Sequence, residues 1–190
     1  MRRIRYHVAM SLDGYIAGPK GEADWITPDP EVDFAALFNE FDTALVGRRT
    51  FDAMVNAGRA TIPGMRLIVF SRTLRRSDYP DATIAAEKQK EMLTSLRQKP
   101  GKDIWLFGGA TLFQALLEQG FVDTVEVSII LILLGGGIPL LPTPATRKKL
   151  NLTSHKFYKS GILALQYAVG SSAEPRVGQT PKVHTKNLPP

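Results

Sequence analysis

Asp103-Ile104-Trp105-Leu106-Phe107-Gly108-Gly109-Ala110-Thr111-Leu112-Phe113-Gln114-Ala115-Leu116-Leu117 is the stretch from which the fold can be read. Ile104 to Phe107 is a short apolar run with two aromatics and a β-branched residue, bounded by a charge and a glycine pair. Such a run predicts a strand buried on both faces. From Ala110 onward the apolar residues fall at Leu112, Phe113, Leu116 and Leu117, which is the face of a helix. Gly108-Gly109 is therefore a strand-to-helix turn. Two residues without Cβ atoms allow a ligand to approach the backbone closely. The free amides and positive dipole end of the following helix favour an anion such as a pyrophosphate.

Working outward, the totals limit the classes of protein. A chain of 190 residues is sized for one domain with a proper core. With 44% hydrophobic and 22% charged residues, it has the composition of a globular protein. Cysteine is absent, which excludes disulfides and thiolate metal sites and fits a reducing cytoplasm. The basic start, Met1-Arg2-Arg3-Ile4-Arg5, lacks the long apolar run and cleavage site of a signal peptide. The longest strictly apolar run, Ile129 to Leu134, is too short to cross a bilayer. The net charge of +6 suits a phosphate-bearing ligand and equally a nucleic acid.

In chain order, Ile4 to Met10 reads as a first strand, closed by the turn Ser11-Leu12-Asp13-Gly14. A loop rich in glycine and proline follows, through Trp25. Asp29-Pro30-Glu31 has the form of an N-cap, a first-turn proline and a first-turn acid, predicting a helix with Phe34, Leu37, Phe38 and Phe41 on one face. Strands are expected at Thr43–Val46, Leu67–Phe70 and, weakly, Thr83–Ala86, with helices after Gly47 and around Met92, Leu93 and Leu96. Val122 to Leu131 alternates Val125, Val127 and Ile129 against Thr124, Glu126 and Ser128. It runs on as the continuous apolar stretch Ile129–Leu134, fit for a subunit contact or for internal core. Lys156–Tyr158 and Ile162–Val169 flank Ser160-Gly161 as a hairpin. Strands alternating with helices give an α/β fold with a mainly parallel sheet and an antiparallel C-terminal edge. The domain is placed at residues 1–169, with 170–190 a tail, disordered or packed on a neighbouring subunit.

Three of these strands end in turns of related chemistry. Gly47-Arg48-Arg49-Thr50 offers a glycine, two guanidinium groups and a hydroxyl at a helix start. Ser71-Arg72 adds another hydroxyl and guanidinium, and Gly108-Gly109 supplies bare backbone. In an open parallel sheet, ligands bind beyond the carboxyl ends of the strands. Arginine's planar fork matches phosphate oxygens. A ligand with several phosphates accounts for all three.

Met10-Ser11-Leu12-Asp13-Gly14-Tyr15-Ile16-Ala17, Val46-Gly47-Arg48-Arg49-Thr50-Phe51, Phe107-Gly108-Gly109 and Leu133-Leu134-Gly135-Gly136-Gly137 together resemble the dihydrofolate-reductase-like family. They are most similar to the reductase domain of bacterial riboflavin biosynthesis and its stand-alone relatives, over residues 3 to 169. The resemblance implies a mostly parallel sheet of about eight strands flanked by helices, with NADPH as cofactor. It implies Ala9 beside the nicotinamide and Gly47, Arg48, Arg49 and Thr50 on the phosphates. Ser71 and Arg72 fall at the adenosine 2′-phosphate, and Gly108, Gly109, Ala110, Thr111 and Leu112 cradle the pyrophosphate. The relatives often carry a proline shortly before the Leu-Leu-Gly-Gly-Gly run; here that position belongs to the apolar stretch.

Asp33 is the acid whose place resembles the pterin-binding carboxylate of dihydrofolate reductases, with Trp25 and Leu37 as substrate-side neighbours. As a catalyst it would need partial burial; as a first-turn acid it stabilises the helix dipole. Asp13 reads as a turn former, His7 as a satisfied or exposed polar residue, and His155 and His184 as lacking ligand-like partners, so no metal site is expected. The expected function is a cytoplasmic, homodimeric NADPH-dependent reductase of a pterin or phosphoribosylaminopyrimidine. Two alternatives stand beside it: a nucleotide-binding module without turnover, and a basic nucleic-acid binder. Neither a basic-aromatic interleaving nor a known module supports the last.

Overall fold

The structure is a computed structural model and describes residues 1–27, 29–87 and 89–170; the tail expectation lies outside it from residue 171 onward. The apolar runs expected as buried strands are so: β1 (Ile4–Ser11), β3 (Phe41–Gly47), β4 (Arg66–Phe70), β5 (Ala82–Ala85) and β6 (Asp103–Gly108). With β7 (Thr124–Ile130) they form a parallel array in the order β5-β4-β3-β6-β1-β7. The hairpin of β9 (Leu150–Phe157) and β10 (Leu163–Val169) completes it, β10 running antiparallel to β7 and β9 lying outermost. This is the expected eight-stranded, mostly parallel sheet with an antiparallel C-terminal edge.

Helices cover both faces because parallel strands need crossovers. α3 (Gln89–Gln98) and α4 (Ala110–Glu118) pack Leu93, Leu96, Phe113, Leu116 and Leu117 against Ile4, Tyr6, Leu45, Ile68 and Leu106. On the other face α2 (Arg48–Asn56) buries Phe51 against Ala44, Val46, Leu67 and Val69. There α1 (Phe34–Asn39) lays Phe38 on Trp105, ring centroids 5.5 Å apart.

Four local expectations are corrected. The first helix begins at Phe34, not at Pro30. The Asp29 carboxylate accepts the Glu31 N–H at 2.7 Å, a local turn that competes with helix, and Asp33 is the N-cap. Phe41 opens β3 rather than closing the helix, and α1 has no buried residue. The run Ile129–Leu134 is not one strand: β7 ends at Ile130, and the internal-core reading holds for Ile129 and Ile130 but not for Leu131 and Leu133, which are 64% and 69% exposed. The chain turns there, the Ile132 N–H bonding the Ile130 carbonyl and its own carbonyl accepting from Leu12 N–H. Beyond it, β8 (Ile138–Pro139) pairs with β2 (Tyr15–Ala17) in a second small sheet that periodicity did not announce. Finally, β9 starts at Leu150; its eight residues are all exposed and carry no alternation of burial, so only its last part near the turn was readable.

Candidate functional site

Because β3, β4, β6, β1 and β7 are parallel, the segments that follow them gather at one rim. The three turns singled out from the sequence meet there. A Cβ placed on Gly47 would lie 3.5 Å from the Gly109 nitrogen and 3.5 Å from the Leu112 Cβ, so the turns after β3 and β6 are in contact. A Cβ on Gly109 would come within 2.9 Å of the Thr50 hydroxyl. Arg48 Nη1 donates to Thr73 Oγ1 at 2.5 Å, joining the turn after β3 to the turn after β4.

The chemistry of these turns differs in detail. Gly108 has φ +137°, a backbone conformation L side chains rarely adopt, and a Cβ there would meet nothing within 4 Å. The Gly108–Gly109 peptide is cis. Gly47 caps α2 and Gly109 caps α4, and neither receives a side-chain cap bond, so side-chain oxygens do not occupy the leading amides of either helix. Ala110 is buried, Leu112 half-buried and Thr111 exposed. Arg48 is held on both sides, its Nε donating to the Asp52 carboxylate at 2.7 Å. Arg49 and Arg72 are exposed. Buried Ser71 does a structural job: its Oγ accepts from the Thr73 and Leu74 amides at 3.2 and 3.1 Å, closing the turn that presents Arg72.

Arg48, Phe70, Ser71, Arg72, Thr73, Ala86, Glu87 and Gln89 line an open cleft of about 670 Å³ at this rim. A lining that combines Phe70 and Ala86 with two guanidinium groups suits a planar ring bearing a phosphate.

On the central part of the same rim, β1 carries half-buried Ala9 opposite Ser128 of β7. Asp33 is exposed; its Oδ1 accepts the Ala36 N–H at 2.8 Å, an N-cap bond. Leu37 is half-buried, and half-buried Trp25 donates its Nε1–H to the Glu22 carbonyl at 3.1 Å, closing the glycine-rich loop on itself.

The sequence reading missed a polar column beside Ala9. Glu126, 6% exposed, accepts both Arg5 Nε and Nη2 at 2.7 Å, Thr124 Oγ1 at 2.7 Å and Gln166 Nε2 at 3.3 Å, and its Oε2 lies 3.3 Å from His7 Nδ1. Arg5 also reaches Glu40 and sits 4.8 Å from the Phe41 ring centroid. Burial pushes the Glu126 carboxyl up, but the hydrogen bonds from Arg5, His7 and Thr124 and the Arg5 charge outweigh it and bring it to about 2. The alternation in β7 sets Thr124 and Glu126 on the face opposite Val125 and Val127; both faces are buried, and the partner that neutralises Glu126 arrives from β1, 121 positions earlier. Above the column lies a hollow of about 140 Å³ lined by His7, Glu126, Ser128, Lys156 and Gln166 among others.

The model of the RibD C-terminal domain family matches residues 2–164. The chain is 34% identical over 178 residues to the Bacillus subtilis (strain 168) protein "Uncharacterized protein YyaP", covering 87% of this chain and 94% of that one. It is 27% identical over 157 residues to the riboflavin biosynthesis protein RibD of Corynebacterium ammoniagenes, covering 73% of this chain and 45% of that one. The crystal structure described as a putative riboflavin biosynthesis protein from Shewanella sp. PV-4 superposes with a TM-score of 0.75 at 27% identity, over 90% of this chain and 100% of that one. A dihydrofolate reductase from Enterococcus faecalis, complexed with NADP(H), shares the fold with a TM-score of 0.66 at 16% identity, over 89% and 97% of the two chains. A family model that matches nearly the whole of the described domain places the chain in the RibD C-terminal domain family.

Proposed function

We propose that the chain is a cytoplasmic NADPH-dependent reductase that delivers hydride to a heterocyclic small molecule of the pterin or phosphoribosylaminopyrimidine class. The observation that carries this reading is the joining of three anion-suited turns at one rim: Gly47 against Gly109, and Arg48 bonded to Thr73. The dinucleotide, when bound, supplies the hydride. The amides after Gly47 and Gly109, with Arg49 and Thr50, hold its phosphates. Arg72 receives the 2′-phosphate, on a turn built by Ser71 and braced by Arg48. Ala9 and the 110–112 segment leave room for the nicotinamide. Asp33, through the carboxylate oxygen its cap bond does not use, anchors the N–H edge of the heterocycle, with Trp25 and Leu37 walling the substrate side.

Thermal shift with each nucleotide tests the reading. NADPH is expected to raise the melting temperature well above NADH, and Arg72→Ala or Arg48→Ala to remove the difference. Equal shifts from both nucleotides in the unaltered chain overturn the 2′-phosphate assignment. Binding without NADPH oxidation across a panel of pterins and aminopyrimidines would point instead to a nucleotide-binding module without turnover.

The partner we infer is a second copy of the chain. Its supports are the exposed apolar side chains of Leu131, Leu133 and Phe157, at 64%, 69% and 70%, and the open edge of β9. Exposed apolar side chains and an unpaired strand edge both suit an interface. Light scattering is expected to give twice the chain mass, and Leu133→Asp with Phe157→Lys to give a monomer; a monomeric unaltered chain refutes it.

A further inference from the structure

We infer that His7 is the proton donor of the reductase, held in place by Glu126 as a positioning residue, with the hollow over β1 and β7 seating the polar part of the substrate. This rests on the reductase reading above and adds to it the group that completes the chemistry.

Hydride delivered to the carbon of a C=N or C=O bond drives the π pair onto the nitrogen or oxygen, which must take a proton. Asp33 is exposed, with one carboxylate oxygen on the α1 cap, and the role given to its other oxygen is to accept from the N–H edge, not to supply a proton. His7 and Ala9 lie on the same face of β1, two residues and therefore about 7 Å apart. A heterocycle lying along β1, with its reacting carbon over Ala9 and the adjoining nitrogen or oxygen turned toward residue 7, brings that atom to the imidazole. Glu126 fixes one imidazole nitrogen, Nδ1, at 3.3 Å, while Nε2 has no hydrogen-bond partner among the described residues. The ring also lines the 140 Å³ hollow. A carboxylate on one nitrogen, with the other nitrogen presented to a cavity, is the arrangement of an oriented proton carrier. Arg5 explains how the carboxylate is kept: its bidentate bond neutralises Glu126, which would otherwise be a lone buried charge. The remaining charged or titratable groups about the hollow are Lys156 and His155 of β9.

The step balances. With NADPH bound, hydride would pass from it to carbon, leaving NADP+, and the His7 imidazolium, its Nδ1–H on Glu126, would give its Nε2 proton to the adjoining nitrogen or oxygen and become neutral imidazole. The imidazole then recovers a proton from water through the hollow.

The test compares the unaltered chain with His7→Asn, His7→Gln and Glu126→Gln. The probes are NADPH and 5-amino-6-(5-phosphoribosylamino)uracil, with a pterin panel alongside. His7→Asn is expected to lower kcat about 100-fold, with KM and the NADPH dissociation constant within about threefold. It should also lose the high-pH limb along which the unaltered rate falls. Glu126→Gln should lower kcat less than His7→Asn does, with KM within about threefold, because the imidazole stays but loses the carboxylate that orients it. A readout independent of turnover is the ¹⁵N spectrum of the cofactor-free protein, in which His7 should carry its Nδ1 proton and shift in Glu126→Gln. Histidine variants that keep both kcat and the pH limb overturn the inference while leaving the reductase reading intact. An Nδ1 signal indifferent to Glu126→Gln also overturns it. An unaltered chain that oxidises no NADPH with any of these substrates removes the reading and the inference together.

Discussion

Asp13 and Gly135 are tied across the rim: the Asp13 Oδ2 accepts the Gly135 N–H at 2.7 Å, while Oδ1 accepts from Leu134 N–H at 3.1 Å and Ser11 Oγ–H at 2.6 Å. The turn after β1 thus fixes the segment after β7. The Ser11 hydroxyl and these amides hold the Asp13 carboxyl below the usual aspartate range. A depressed folded value contributes order at neutral pH that is lost as pH falls through it. Hydrogen exchange at Leu134 and Gly135 is therefore expected to quicken in Asp13→Ala at neutral pH, and in the unaltered chain only on acidification below about pH 4. Unchanged protection in the variant would show that the loop holds itself.

Acid stability should report on Glu126. Its carboxyl falls from 4.5 to about 2 on folding, so its contribution is complete above 4.5 and is lost between there and about 2. Breaking a buried pair by removing one partner costs about 3–5 kcal/mol. Glu126→Gln is expected to lose stability of that order at pH 7 by urea denaturation, and to show a shallower dependence on pH between 5 and 2. A loss that is the same at pH 7 and pH 2 would contradict the ion-pair account.

The contact between Gly109 and Thr50 predicts a coupled pair. A Cβ at 109 would sit 2.9 Å from the Thr50 hydroxyl, closer than real contacts allow. Gly109→Ala should cost about 1–3 kcal/mol as overpacking, and Thr50→Ala should recover part of it. A double-mutant cycle by denaturation measures the coupling; strict additivity would mean that the two turns are not in contact.

Glu87 shares the cleft with Arg48 and Arg72. A carboxylate there opposes a 2′-phosphate and tolerates a 2′-hydroxyl. Glu87→Gln is expected to tighten NADPH about tenfold, about 1.4 kcal/mol, with little change for NADH, measured by nucleotide fluorescence. Parallel changes for both would place Glu87 away from the ribose.

Neighbouring residues wrote much of this protein. The strand, glycine pair and helix of 103–117, the β3 and β4 runs and their arginine turns were legible because burial periodicity and turn chemistry are set by residues a few positions apart. The sheet class followed from strands alternating with helices. Less was legible where a local pattern had two readings: Asp29 has the form of an N-cap, yet its carboxylate closes a turn on the Glu31 amide and Asp33 caps α1 instead. β9 gave no signal because, lying at an exposed edge, it has no buried face to imprint an alternation. Tertiary structure alone decided that β6 enters between β3 and β1, which presses Gly109 against Gly47. It alone set the β1–β7 register that pairs His7 with Glu126 and lays Arg5 alongside. Those partners are more than a hundred residues apart. No local preference selects between registers; they are fixed by which pairing leaves every buried charge answered and every apolar face covered.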